Sequence, residues 1–184
     1  MIEANSYSKG LSWGGDAVTN KFMIGAMEFS SQVGALPVRR GPDGCLLVLL
    51  VTTLQTQRWI IPKGWPWPGQ QDCASAAAEA REEAGVLGEA RAGSIGSYTY
   101  EKRRQSGRVP VRVTVYLLEV QQELETWPEC ERRQRAWFTL GDAADAVREP
   151  ELRELLLQFK AAAEQRSPDA AARAGAPSQR PGAP

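Results

Sequence analysis

Three carboxylates, Glu79, Glu82 and Glu83, stand close together in the alanine-rich run from Asp72 to Ala84. At about 100° per residue on an α-helix they fall within about a 100° arc, so they share one face, and Arg81 points to roughly the opposite side. Like charges placed this way repel by roughly 0.2–0.5 kcal/mol per pair. A divalent cation between them relieves that repulsion, and a solvated acidic helix face tolerates it. Both readings stand on these residues alone. Just upstream lies a loop rich in Gly and Pro that begins at Lys63 and Gly64 and carries Trp65 and Trp67. Its carbonyls and the Lys63 ammonium are suited to a metal–phosphate complex.

What the chain lacks narrows the chemistry. Its 184 residues include no histidine. That excludes Ser-His-Asp and Cys-His nucleophile systems, His-rich zinc sites and phosphohistidine chemistry. The cysteines Cys45, Cys73 and Cys130 form no CxxC pair. They argue against a cysteine-based metal centre and fit reduced thiols in a cytoplasmic protein. A metal, if used, must be held by oxygens, which points to Mg2+ or Mn2+. The 22 basic and 22 acidic residues cancel. This speaks against a nucleic-acid polymer or a membrane surface as partner while leaving room for a local basic pocket. The longest apolar run, Cys45 to Val51, is far short of the roughly 20 residues a membrane span needs. The N-terminal residues show no secretory signal pattern.

The elements that must position these groups read as mixed α and β. Expected strands are Ser31 to Arg39, Cys45 to Thr53, Trp59 to Pro62, Ser94 to Arg103, Val109 to Val120 and Arg135 to Leu140. The second is continuously apolar, as befits a central strand covered on both faces. The helix over 72–84 is expected to be capped by Asp72 and stopped by Gly85. A short helix starts at Gly141 and Asp142, and an amphipathic one covers Glu149 to Gln165. Residues 1–29 read as a poorly organised leader, 30–165 as the folded domain and 166–184 as a disordered Ala/Pro/Gly/Arg tail. The element order implies an α/β (α+β) fold, with helices sandwiching a mixed sheet.

The segment from Gly64 to Val86 resembles the Nudix box, G-x5-E-x7-R-E-U-x-E-E-x-G-U, where U is a bulky aliphatic. Gly64 is its first glycine, Glu79, Glu82 and Glu83 its later glutamates, and Gly85 and Val86 its end. Gln70 stands where the first Glu belongs, Ala78 where the Arg belongs and Ala80 where a larger aliphatic is usual. The likeness extends over about residues 31–160, through LPVRRGPDG, RWIIPKGWP, SYTYEKRR and WPECERRQRAWF. It is similar to the bacterial Nudix group related to diphosphoinositol polyphosphate phosphohydrolases. The resemblance implies an α/β/α sandwich and a hydrolase that uses Mg2+ or Mn2+ to direct water onto phosphorus in a phosphoric anhydride. It implies metal ligation by Glu79, Glu83, Glu82 and the Lys63 carbonyl, with Glu82 as general base. Glu101 and Glu119 are candidates for one further acidic ligand. The implied partner is a small phosphorylated substrate of the diphosphoinositol polyphosphate or dinucleoside polyphosphate class. A binding module that holds such a ligand without cleaving it is the alternative that Gln70 and Ala78 raise.

Polyphosphates need fixed positive charge. Arg39 and Arg40, Arg58 and Lys63, and Lys102, Arg103 and Arg104 are the candidate anchors, the last set beside a hairpin suggested by Gly107 and Pro110. Arg132, Arg133 and Arg135 read as structural ion pairing. Trp65 and Trp67 are expected to pack rather than stack on a base, Trp127 and Trp137 to lie in the core, and Tyr98 and Tyr100 to share one packed strand face.

Overall fold

A computed structural model describes residues 21–24, 27–104 and 107–165. Its eight strands are β1 (Lys21–Ile24), β2 (Met27–Arg40), β3 (Leu46–Thr52), β4 (Trp59–Ile60), β5 (Lys63–Gly64), β6 (Val86–Arg104), β7 (Gly107–Glu123) and β8 (Arg135–Thr139). The helices are α1 (Asp72–Ala84), α2 (Leu140–Ala146) and α3 (Pro150–Gln165). All strands belong to one sheet with the main order β4-β3-β2-β7-β6. Only β2 and β7 run parallel, from Ser30 beside Val111 to Val38 beside Glu119; the other pairings are antiparallel. The sheet is mixed, as expected.

The helices cover both faces. Tyr116 donates its hydroxyl to Asp72 of α1 at 3.4 Å, and the next residue, Leu117, lines a groove with Leu155 and Phe159 of α3. Neighbouring strand residues point to opposite faces, so α1 and α3 lie on opposite sides of the sheet. The continuously apolar β3 is buried from Val48 to Val51 and pairs with β2, β4 and β8. α1 lies close against the sheet because its buried stripe is small: Cys73, Ala76, Ala80 and Ala84.

Several boundaries differ from the sequence reading. Strand pairing begins at Lys21, inside the segment expected to be a leader, with Lys21 opposite Ser30 and Ile24 opposite Met27. Scattered apolar residues there gave no period to read. The tail 166–184 and residues 1–20 lie outside the described residues. β6 starts at Val86 rather than Ser94, because register shifts between Leu87 and Gly88 and again from Ala90 to Gly96 break its alternation. The N-cap of α1 is Gln71, with Asp72 as the first helical residue and no side-chain cap. Gly85 ends the helix as expected, left-handed at φ 62°. Trp127 and Trp137 are half-buried rather than core. Each carries a guanidinium on one ring face, Arg135 on Trp127 and Arg39 on Trp137, both 4.1 Å from the ring centroid.

Candidate active site

The acid-bearing helix and the loop before it meet at the middle of β2. The short strand β5 pairs there, with Val33 opposite Gly64 and Gly34 opposite Lys63. Gly64 lies directly under the Glu79 carboxyl group, and a Cβ at that position would overlap it. Glycine here leaves room for that carboxyl to lie on the loop backbone, and a Cβ would make it turn aside. One turn along, Glu83 is 7% exposed and accepts the Lys63 backbone N–H at 3.0 Å through Oε2. Its Oε1 accepts from the Arg133 guanidinium. Glu82 is exposed. The arc expected from helical spacing is thus divided: Glu79 and Glu83 turn toward β5, and Glu82 faces solvent.

Electrostatics follow from this crowding. Burial first, then the Glu83 and Glu82 carboxylates, push the Glu79 carboxyl up to about 7, with Lys63 opposing. Burial also raises Glu83, against the pull of Arg133 and Lys63. Lys63 is itself pushed down, mainly by burial, with Glu83 opposing. Two carboxylates that resist ionisation side by side, Glu83 buried and Glu79 half-buried, mark a place where added positive charge is favoured.

The donor set fits a hard cation. Among the described residues no three Asp, Glu or Cys groups form a ready-made cage. Magnesium does not demand one: it keeps several waters and is held by one or two carboxylates plus substrate phosphates. Glu79 and the unused lone pairs of Glu83 suit that role, with the Lys63 carbonyl beside them.

A basic and aromatic wall adjoins the carboxylates. The Lys63 ammonium sits over the Tyr100 ring and the Lys102 ammonium over the Trp65 ring, each 5.2 Å from the centroid. Tyr100 donates its hydroxyl to Gln32 Oε1 at 2.8 Å. Tyr98 is fully buried, which holds its phenol well above the usual range. Packing therefore accounts for Tyr98, as expected. Trp67 is 46% exposed.

Other expected anchors are elsewhere or engaged. Arg39 lies five positions beyond Gly34 on β2, about 17 Å at ~3.3 Å per residue. It is paired with Glu123 and stacked on Trp137. Arg40 donates to the Gly44 carbonyl at 2.9 Å. Both face a groove of about 950 Å³ at the far end of the strand. Arg58 pairs with Glu149 at 3.0 Å, a partner 8% exposed. Arg103 is exposed opposite Arg108, and Arg104 ends β6 opposite Gly107, across the expected hairpin. Neither candidate extra acid joins the helix carboxylates. Glu101 pairs with Arg108 across that hairpin, and Glu119 pairs with Arg91 in the far groove.

The sequence reading missed three participants. Glu149 neutralises Arg58. Glu129 and Arg133 reach the site from the segment between β7 and β8. Arg133 was expected to form structural ion pairs, and it does, but one partner is a box glutamate. No local pattern signals a contact between residues 50 positions apart.

Comparison with known proteins places this geometry. A family model described as the NUDIX domain matches residues 29–159. Nudix hydrolase 16, mitochondrial, of Arabidopsis thaliana is 34% identical over 116 residues, 60% of this chain and 63% of that protein. Diphosphoinositol polyphosphate phosphohydrolase 2 of Rattus norvegicus is 34% identical over 99 residues, covering 52% and 51% of the two chains. The chain thus spans somewhat under two thirds of the length of these curated relatives. Among solved structures, a C. elegans Ap4A hydrolase binary complex superimposes with a TM-score of 0.56 at 21% identity, over 73% of this chain and 98% of that one. No helix among the described residues is long and apolar enough to cross a membrane. The family model covers most of the chain, which belongs to the NUDIX family.

Proposed function

We propose that the protein is a divalent-metal-dependent pyrophosphohydrolase that directs water onto phosphorus in a small polyphosphorylated metabolite. The observation that carries this reading is the convergence of Glu79 and Glu83 with the Lys63–Gly64 backbone, beside a wall built from Lys63, Lys102, Trp65 and Tyr100. Mg2+ or Mn2+, when bound, neutralises phosphate oxygens and acidifies the attacking water. Glu79, Glu83 and the Lys63 carbonyl hold it, and Glu82 completes the acidic face. Glu82, exposed to incoming water, takes the proton as general base. Lys63 and Lys102 hold phosphate oxygens as point charges and restrain the chain of phosphates relative to the carboxylates. Of the anchors expected from the sequence, these two stay in our substrate site. Arg39 and Arg40 leave it because they line the groove at the far end of β2, and Arg58 because it pairs with Glu149.

The substrate class we assign is that of the diphosphoinositol polyphosphates or dinucleoside polyphosphates, following the names of the rat and C. elegans proteins. Residues 30–165 form the catalytic unit in this reading. The three cysteines, none in a disulfide, suit a reducing compartment such as the cytoplasm. The deciding experiment is product release from both substrate classes with Mg2+ and Mn2+, using wild type, Glu82→Gln and Glu83→Gln. Metal-dependent turnover lost in both variants is the expected result. Dependence on Trp65 or Trp67 would select the dinucleotide class, and dependence on the lysines alone the inositol class.

One observation favours the binding module as a second reading. Both oxygens of Glu83 already have protein partners, as in a site that has given up its metal. Ligand binding without turnover, unaffected by chelator, would establish it.

A further inference from the structure

We propose that Arg133, far outside the box, is the positioning residue that holds Glu83 in the orientation needed for metal binding. The inference rests on the functional reading above and adds a residue to it. Three directional contacts fix the guanidinium: Nη2 donates to Glu83 Oε1, Nε to Glu129 Oε2, and Nη1 to the Thr52 carbonyl at 2.8 Å. Its side chain is 9% exposed. A planar fork held on three sides has no rotational freedom left, so it transmits its geometry to the carboxylate it touches. The Lys63 N–H on Oε2 fixes the other oxygen at 3.0 Å. Together the two contacts set the plane of the carboxylate while leaving lone pairs on both oxygens. Ala78 brings no charge to the box position where the family pattern has arginine. The guanidinium that reaches the box comes from the segment before β8.

Neighbouring contacts anchor that segment to the helix it serves. Trp127 Nε1 donates to the Glu83 carbonyl at 3.2 Å. Arg135 Nη1 donates to the carbonyls of Ala84 and Gly85 at 2.7 and 3.0 Å. The Trp127 ring lies so close to Gly85 that a Cβ there would stand 2.6 Å from it. Glu129 accepts the backbone N–H groups of Arg132 and Arg133 through its own carbonyl, each at 3.0 Å, which folds the segment back on itself. Residues 127–135 thus grip the end of α1 and aim one guanidinium at its last glutamate. All three directional contacts of the Arg133 side chain are to protein groups, and the one in the box is Glu83, through which its effect passes.

The test is Mn2+ affinity of the full chain, read from the signal of free Mn2+ by electron paramagnetic resonance, beside kcat and KM. Arg133→Lys keeps the charge and loses the fork. We expect it to weaken Mn2+ binding and lower kcat by roughly 10- to 100-fold, the scale of an outer-shell partner, with KM for substrate changed less than twofold. In a Glu83→Gln background the same substitution should change Mn2+ affinity by less than about twofold, because a residue acting through Glu83 has nothing left to orient. A purely structural role would give additive losses in the double variant, and that result overturns the inference. Unchanged Mn2+ affinity and kcat in folded Arg133→Lys overturns it as well. If Arg133→Lys does not fold, Glu129→Gln releases one arm of the fork, and repeating it in Glu83→Gln separates that release from the loss of the Glu129 charge, which also acts on Glu79 and Glu83. Weaker Mn2+ binding is then expected with Glu83 present and not in its absence; unchanged binding, or an equal loss in both backgrounds, overturns the inference. A wild type that binds no Mn2+ and turns over no substrate removes the functional reading and this inference together. A wild type that does both, with the variants unaffected, removes this inference alone.

Discussion

The two ends of β2 carry similar residues and opposite prospects. Around Val33 and Gly34, the lysines Lys63 and Lys102 lie on aromatic faces beside the α1 carboxylates. Around Val38 to Arg40, each arginine already has a partner: Arg39 has Glu123, Arg91 has Glu119, and Arg40 caps a turn. The second end has a groove of about 950 Å³, lined by Leu117, Leu155 and Phe159 as well as arginines. What separates the two is the acids: Glu119 and Glu123 are each matched with an arginine, whereas at the Gly34 end Glu79 lies beside the carboxylates of Glu82 and Glu83. There burial, and then the charges of Glu83 and Glu82, raise the Glu79 carboxyl to about 7.

Mutation sharpens this contrast. The largest effect is expected at the carboxylates. Glu79→Gln and Glu83→Gln should each lower kcat by about 100- to 1,000-fold, the scale of one electrostatic group in a reaction site. Steady-state kinetics with saturating Mg2+ checks it. Next comes the loop. Gly64→Ala makes the Glu79 carboxyl, the far end of a flexible side chain, turn aside and should cost only about 0.5–1.5 kcal/mol of stability, the scale of a displaced rotamer, along with most of the activity. Denaturant titration and kinetics measure the two losses. The direct comparison of the ends is Lys102→Ala against Arg39→Ala. Loss of a charged contact to phosphate should raise KM roughly 10- to 100-fold for Lys102→Ala. Arg39→Ala removes an exposed pair and should leave kcat/KM within about twofold. Equal effects at both ends would break the comparison.

The smallest expected effect is a pH dependence of stability in chelator. The Glu79 carboxyl rises from an ordinary value of 4.5 to about 7 on folding. Below the lower value it is protonated in both states. Between the two, the folded protein holds a proton that the unfolded chain has released, so stability falls as pH rises through this window. Thermal melts from acid to neutral pH should show a declining Tm, and Glu79→Gln should flatten part of the slope. A Tm that rises across the window in the wild type would contradict the crowding described here.

Legibility in the sequence followed the range of the interaction. The limits of α1 were readable because alanine propensity and a left-handed Gly85 are local causes. β3 was readable because an unbroken apolar run has few other uses. β1 was not, since pairing with β2 sets it rather than its own pattern. The first third of β6 was hidden by bulges that break alternation. In the site, the glutamates and Gly64 were legible as a spaced motif, but their division into one buried, one half-buried and one exposed group was not. Arg39 and Arg40 read as anchors because a sequence does not say which end of a strand faces the chemistry. Arg58 misled because its neutralising partner, Glu149, lies 91 positions away.

The parallel pairing of β2 with β7 also bears on how the chain is born. It joins Ser30 to Val111, and such non-local contacts form slowly because a long loop must close first. The grip on α1 comes later still, from residues around Trp127 to Arg135. A ribosome releasing this chain from its N-terminus exposes the acidic helix well before its clamp exists. Nascent chains halted before Trp127 would carry every glutamate of the box yet lack the grip that orders it.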